Sequence, residues 1–275
     1  MFFWQLIKED KTEAKVYRFI IDAHMHLPVY SGLETLEDKK IQLLADLERN
    51  KISAAVVMAD SELQSAIGNN EECVNLFSDC DNVFVVAGIS PLIDFQNNLN
   101  RIENYLCQKK IVGVKLYPGH EQFYLNDPRL ESVFLLCEAF DVPVAVHTGW
   151  DNPHFNAPAL FADIAGKHPK LKIVNCHLWY PKIDYCYEVT RDYQNIYYDI
   201  SSLADDKGNK SKITEVLHRI ANENPHRLIF GSDYGMCDPM AHIELVDRLP
   251  VSDETREMIF YKNAVRLYGL SRING

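Results

Sequence analysis

Eight short apolar runs, spaced roughly 30 residues apart, limit what this chain can fold into. They are FIIDAH (19–24), ISAAVVMA (52–59), VFVVAGI (83–89), IVGVKLY (111–117), VPVAVH (142–147), LKIVNCH (171–177), NIYYDIS (195–201) and RLIFGS (227–232). Most are too apolar throughout to keep one wet face. Strands buried on both faces belong to parallel sheets covered by helices. Between the runs the spacing turns helical: Leu36, Leu43, Leu44 and Leu47 form one stripe, Leu99, Ile102 and Leu106 another, and Leu130, Phe134, Cys137 and Phe140 a third. Ile213, Val216, Leu217 and Ile220 mark a further helix that Pro225 closes; Ser252 starts a late helix and Gly269 stops it. The pattern predicts an α/β fold, a (β/α)8 TIM barrel over 18–275 with a short N-terminal arm over 1–17 and no second domain. A doubly wound open sheet would need a glycine-rich phosphate turn after an early strand, and the sequence has none.

Composition narrows the partners. With 47% hydrophobic residues in 275, a real core is expected. A net charge of -11, without a basic patch, argues against nucleic acid. No apolar run approaches the roughly 20 residues of a membrane helix, so no membrane partner is expected. The start, MFFWQLIKED, lacks the basic segment and cleavage site of a signal peptide. The seven cysteines form no CxxC pair, and Cys73, Cys80, Cys107, Cys137 and Cys186 read as buried thiols within helical stretches. A cytoplasmic location is expected, and a homodimer stays open.

In a barrel of this kind chemistry sits at the C-terminal ends of the strands. Strand one ends in His24 and His26, strand five in His147, strand six in His177 and strand eight in Asp233. Alternation predicts that Asp22, His24 and His26 share one face of strand one, each about 7 Å from the next. One histidine at a strand end is commonplace. Four of the ten in the chain at such ends, closed by an aspartate, point to a divalent metal site.

This ordered set resembles the amidohydrolase superfamily, and more narrowly the single-domain amidohydrolase-related branch that includes the aminocarboxymuconate-semialdehyde decarboxylase-like enzymes. The pieces that carry the resemblance are DAHMH (22–26), GVKLYPG (113–119), FYLNDPRL (123–130), VPVAVHTG (142–149), NIYYDIS (195–201), HRLIFGSDYG (226–235) and KNAVRLYGL (262–270). The resemblance implies one divalent metal, commonly zinc, with manganese or iron as alternatives, bound by His24, His26, His147 and Asp233 with His177 beside it. Asp233 would then carry a proton from the activated water to the leaving group. His177 would polarise the substrate carbonyl or serve as a further ligand. Asp22 is expected to orient a ligand or to pair with Lys115.

Lys115 shares the barrel-facing parity of Gly113 and Tyr117, where a lysine calls for a partner. It either pairs with an acidic group or an anionic substrate, or reaches the wet rim, or is carboxylated and bridges a second metal. The bridge is not expected, because the branch is mainly mononuclear. The chain departs from the family in HLWYP (177–181), where a glycine-rich turn is usual, and in GSDYG, where GSDYP is common. Tyr117, Trp150, His154 and Trp179 are candidate substrate contacts, although His154, on a loop, more readily reads as a surface residue. His120 gets the same weighing, a possible substrate contact that more readily reads as surface, and His168, His218, His226 and His242 read as structural.

The expected activity is hydrolysis of a small carbonyl substrate: an amide, lactone, ester or cyclic imide. The alternative is non-oxidative decarboxylation of a small unsaturated or aromatic acid, with Lys115 holding the carboxylate. A nuclease-like relative is disfavoured because that group carries a glutamate at strand four. A barrel that only senses or scaffolds is the non-enzyme reading.

Overall fold

A computed structural model describes residues 18–270 apart from 63 and 151. The arm expected over 1–17 lies outside the described residues. Eight parallel strands follow one another in the order β1 (Ile21–Met25), β2 (Ala54–Met58), β3 (Val83–Gly88), β4 (Gly113–Leu116), β5 (Val144–Val146), β6 (Ile173–Cys176), β7 (Ile196–Asp199) and β8 (Leu228–Ile229). Each lies inside one of the eight apolar runs. The β8–β1 seam is bridged by backbone bonds, Ala23 N–H to Phe230 O at 2.9 Å and Asp233 N–H to His24 O at 2.8 Å. The sheet is thereby a nearly closed (β/α)8 barrel.

Helices α1 (Leu36–Asn50), α2 (Asn70–Leu76), α3 (Phe95–Cys107), α4 (Glu131–Phe140), α5 (Pro158–Lys167), α6 (Ile183–Thr190), α7 (Lys210–Glu223) and α8 (Pro239–Asp247) follow the strands in turn. Their ends obey local chemistry. Thr35 and Asp38 exchange bonds in a capping box at α1, Ser252 accepts from Thr255 N–H at the start of α9 (Asp253–Glu257), and Gly269 ends α10 (Asn263–Tyr268) at φ 64°. One turn of π-helix, Met258–Lys262, joins α9 to α10. Among the described residues no helix is long and apolar enough to cross a membrane.

Two apolar layers result. Val57, Val85, Leu116, Val146 and Phe230 face the helices. Ile21, Ala23, Ala54, Val56, Met58, Ala145, Val174 and Ile229 fill the barrel, together with Ala264, Leu267, Tyr268 and Leu270 from the last helix. Asn263 fixes that helix by donating to Pro225 O and Leu228 O, both at 2.7 Å, at the N-terminal end of β8. One end of the barrel is plugged this way; the strand C-termini form the other. The thiol expectation holds for Cys73, Cys137 and Cys186 but not for Cys107, exposed at the end of α3, nor Cys80, half-buried in a turn beyond α2.

Candidate metal centre

Strict alternation along β1 fails where the site begins. Ile21 and Ala23 pack inside the barrel, whereas Met25 and Leu27 pack toward the helices. The pairing with β2 shifts register between Asp22 and Met25, which is how a bulge re-aims side chains. The expectation that Asp22 shares a face with both histidines is therefore corrected. Asp22 accepts from Ser232 N–H at 3.0 Å, Ser232 Oγ–H at 2.5 Å and His24 N–H at 3.2 Å, and so ties β1 to the end of β8. It does not pair with Lys115. Burial pushes its carboxyl up to about 7, against the Ser232 and His24 bonds that pull it down.

The residue that orients His24 is Asp199, at the end of β7. Its Oδ2 lies 2.5 Å from His24 Nδ1, and both side chains are buried. His26 Nδ1 lies 3.2 Å from Met58 O, and His177 Nδ1 lies 3.1 Å from Ser201 O. A carboxylate or carbonyl only accepts, so each bond assigns the proton to Nδ1 and leaves Nε2 as the acceptor nitrogen. The sequence reading assigned no role to Asp199, although its place at the C-terminal end of β7 was a usable signal. A glycine makes this packing possible: a Cβ at Gly231 would overlap Asp199 Oδ1 and come within 2.8 Å of His24 Cβ.

The Nε2 atoms of His24 and His26 converge on Asp233. Its Oδ1 lies 3.3 Å from His26 Nε2 and 3.5 Å from His24 Nε2, and Ser202 Oγ–H donates to its Oδ2 at 2.5 Å. His24, His177 and Asp233 each offer a ligand atom within 4.8 Å of the others. His147 joins with its ring 5.0 Å from that of His177, and its buried Nε2 has no hydrogen-bond partner. His177 and Asp233 both have left-handed backbones, at φ 64°. That geometry lets His177 follow Cys176 into the barrel when simple alternation would turn it out.

Electrostatics fit the same use. Burial, then the Lys115 ammonium, lowers His24 to about 4. Burial, then the neighbouring histidines, holds His147 well below the ordinary imidazole range, and burial lowers His177. Burial works to raise Asp233, but His26, His177 and His24 hold its carboxyl well below the carboxylate range. Neutral imidazoles around an ionised carboxylate are the donor set a borderline divalent cation takes. The orphaned Nε2 of His147 and the fixed tautomers fit such an ion.

Lys115 is completely buried in the barrel, as its parity predicts. Its Nζ lies 3.1 Å from Cys176 Sγ and 3.4 Å from His24 Nε2, and no carboxylate among the described residues forms an ion pair with it. The rim reading of Lys115 is thereby corrected, as is pairing with an acidic side chain of the chain itself. Tyr117 is buried too and donates its hydroxyl to Ala59 O at 3.2 Å. The other candidates line the rim. Trp150 is exposed and stacked on Tyr180 at 4.3 Å, His154 lies 4.2 Å from Phe155, and the Trp179 indole N–H donates to Pro153 O at 3.1 Å. The bulk expected at HLWYP is accommodated by three successive left-handed residues, His177, Leu178 and Trp179. His120, read from sequence as more readily surface than substrate contact, has its ring 4.0 Å from that of His147.

Comparison with known proteins follows the same lines. Residues 21–270 match the sequence model of the family described as Amidohydrolase. No curated protein matches the chain. Among solved structures, an uncharacterised TIM-barrel protein from Bordetella bronchiseptica is 20% identical, with a TM-score of 0.74 over 92% of this chain and 99% of that one. A Pseudomonas putida protein provisionally assigned as a 2-pyrone-4,6-dicarboxylic acid hydrolase is 15% identical, with a TM-score of 0.69 over 92% and 98%. A dihydroxybenzoic acid decarboxylase from Polaromonas sp. JS666, with bound manganese and the inhibitor 2-nitroresorcinol, is 15% identical, with a TM-score of 0.63 over 93% and 98%. At these identities the likeness speaks to the fold.

Proposed function

The chain belongs to the amidohydrolase family, and from that premise we propose that it is a metal-dependent hydrolase of a small carbonyl substrate. The observation that carries the proposal is the convergence of the His24 and His26 Nε2 atoms on Asp233 Oδ1, with a ligand atom of His177 within 4.8 Å of His24 and Asp233 and the unpartnered Nε2 of His147 beside them. His24, His26, His147 and Asp233 would hold the ion, zinc or manganese, and His177 would stand at its edge. The ion would supply Lewis acidity, which brings the pKa of water near neutrality.

The rest falls to the chain's own side chains. Asp233, ionised and fixed by Ser202, accepts the proton of the attacking water and returns it to the leaving nitrogen or oxygen. The Asp199–His24 bond keeps the His24 lone pair on the centre. His177 directs a lone pair inward, so its tautomer favours a ligand or proton-accepting role over polarising a carbonyl.

Decarboxylation is the second reading, and the manganese-bound decarboxylase with the same fold favours it. Against it, Lys115 is sealed beneath the mouth and is a poor anchor for a substrate carboxylate. Metal analysis of the purified protein, with a panel of lactones, amides, cyclic imides and aromatic acids, separates the readings. Hydrolysis that falls about 10²–10⁴-fold in Asp233→Asn is expected. Carbon dioxide release from an acid would replace hydrolase by decarboxylase. A protein that neither contains nor binds a divalent metal would overturn both.

A further inference from the structure

Away from the metal centre, a partly enclosed cavity of about 180 Å³ opens where the loop from β7 to α7 crosses α8. The crossing is tied at one point: Ala204 N–H donates to His242 Nε2 at 3.3 Å, and His242 Nδ1–H donates to Asp238 O at 2.9 Å. Beside that tie, Leu203, Ile213, Ala241 and Leu245 make an apolar floor, and Lys207 and Lys210 stand at its exposed edge. The two carboxylates on the same edge are already engaged. Asp206 accepts from the Tyr180 hydroxyl, from Gly208 N–H at 2.8 Å and from Asn209 N–H at 3.1 Å. Glu244 accepts from Arg248 at 3.0 Å. Neither lysine ammonium forms an ion pair or hydrogen bond among the described residues. Unengaged cations over an apolar floor suit a molecule with an anionic head and an aliphatic body.

We propose that this cavity binds a small aliphatic monocarboxylate and that its occupancy is felt at Ser202 and Tyr180. The volume sets the size. An apolar cavity of about 150 Å³ takes a benzene-sized molecule, so a body of about six carbons fits here and a drug-sized one does not. The free charges set the head group: an anion meets two ammoniums, whereas a cation meets no unengaged carboxylate. The wall residues set the consequence. Leu203 follows Ser202, whose Oγ–H donates to Asp233 Oδ2 at 2.5 Å. Asp206, on the edge, holds the Tyr180 hydroxyl, and Trp150 stacks on Tyr180 at 4.3 Å at the rim of the barrel mouth. A ligand that shifts this loop against α8 therefore moves groups at both the centre and the mouth while touching neither. The site goes beyond the metal-dependent reading, and its test needs neither metal nor turnover.

The test is amide NMR titration of the isotope-labelled full chain with hexanoate, and with hexylammonium as the probe of opposite charge. Wild type is compared with the double variant Lys207→Gln, Lys210→Gln and with Ala241→Phe. Hexanoate is expected to shift the amides of Leu203, Ala204 and Ala241 saturably, with Ser202 and Tyr180 moving on the same curve. Hexylammonium is expected not to bind. The double variant, altered only at exposed side chains, should bind hexanoate about 3- to 10-fold more weakly. Ala241→Phe fills the cavity and should abolish binding; should it fail to fold, the lysine variant decides alone. No saturable shift in wild type overturns the proposal. So does hexylammonium binding as tightly as hexanoate, unchanged affinity in the double variant, or retained affinity in a folded Ala241→Phe. Shifts confined to the cavity walls, with Ser202 and Tyr180 unmoved, overturn the link to the rest of the barrel.

Discussion

Asp199 Oδ2 lies 2.5 Å from His24 Nδ1 across the barrel interior, with both side chains buried. The pair settles two matters at once. The imidazole is fixed in the tautomer that directs Nε2 to the centre, and the carboxylate gains a partner for its buried charge. Burial alone would raise Asp199, yet His24, then His177 and the Ser201 N–H, bring its carboxyl down to about 2. A charged hydrogen bond of this kind also makes the ring a better donor to a cation.

Asp199→Asn should therefore lower the affinity for zinc or manganese about 10- to 100-fold. Asp199→Ala should lower it further, because it leaves the His24 N–H with only the neutral Ser201 hydroxyl, 3.0 Å away, as its partner. Competition against a colorimetric chelator measures both. Unchanged affinity in both variants would mean that His24 is not a ligand.

Gly231→Ala tests the same packing from the opposite side. The added methyl would overlap Asp199 Oδ1 and press on His24 Cβ, and neither buried group has room to retreat. A loss of about 1–3 kcal/mol in unfolding free energy is expected, as for other overpacked sites. Metal affinity should fall in parallel. Denaturant melts of the metal-free chain isolate the packing cost from the ligand cost.

How much of this was legible in the sequence depends on what each residue answers to. The eight strands were readable because burial on both faces leaves only apolar runs. His24, His26, His147, His177 and Asp233 were readable because polar groups at the ends of such runs are conspicuous. Asp22 misled: its spacing from His24 is regular in sequence, but the bulge after it breaks the alternation and sends it to Ser232. Asp199 went unassigned because its importance lies in a bond to a residue 175 positions away. The place of His120 was illegible for a related reason: it was weighed as a loop histidine, more readily surface than substrate contact. Nothing within PGHEQF shows that Asn152 and Asn156, from the next connection, hold the turn against His147.

The loop between β7 and α7 gives a pH prediction away from the centre. The hydroxyl of Tyr180, then the side chain of Asn209, holds the Asp206 carboxyl down at about 2 from an ordinary 3.8. A carboxylate with a depressed folded-state value stabilises the fold above 3.8 and loses that contribution as pH falls through 3.8 toward 2. Wild type should then be more stable than Asp206→Asn by a constant margin above about pH 5, and the margin should close between about pH 4 and pH 2. Thermal melts across that range check it. A margin that widens on acidification would assign the stabilising bond to another group.

Lys115 yields the sharpest test of how many metals the centre takes. Its ammonium lies 3.4 Å from the His24 lone pair that an ion would occupy, and it is sealed from water. Unit charges 4 Å apart interact by about 4 kcal/mol at an effective dielectric of about 20, so an ammonium here opposes a cation at the centre. Lys115→Met fills similar volume without the charge, and should tighten zinc binding by at least about tenfold if half of that repulsion survives screening and relaxation. Chelator competition reads the change, and intact-mass measurement reads whether wild-type Lys115 carries a carboxyl group. If the lysine instead bridges two ions as a carbamate, Lys115→Met must lose one metal per chain and bind the other more weakly. The two accounts therefore predict opposite signs for one measurement.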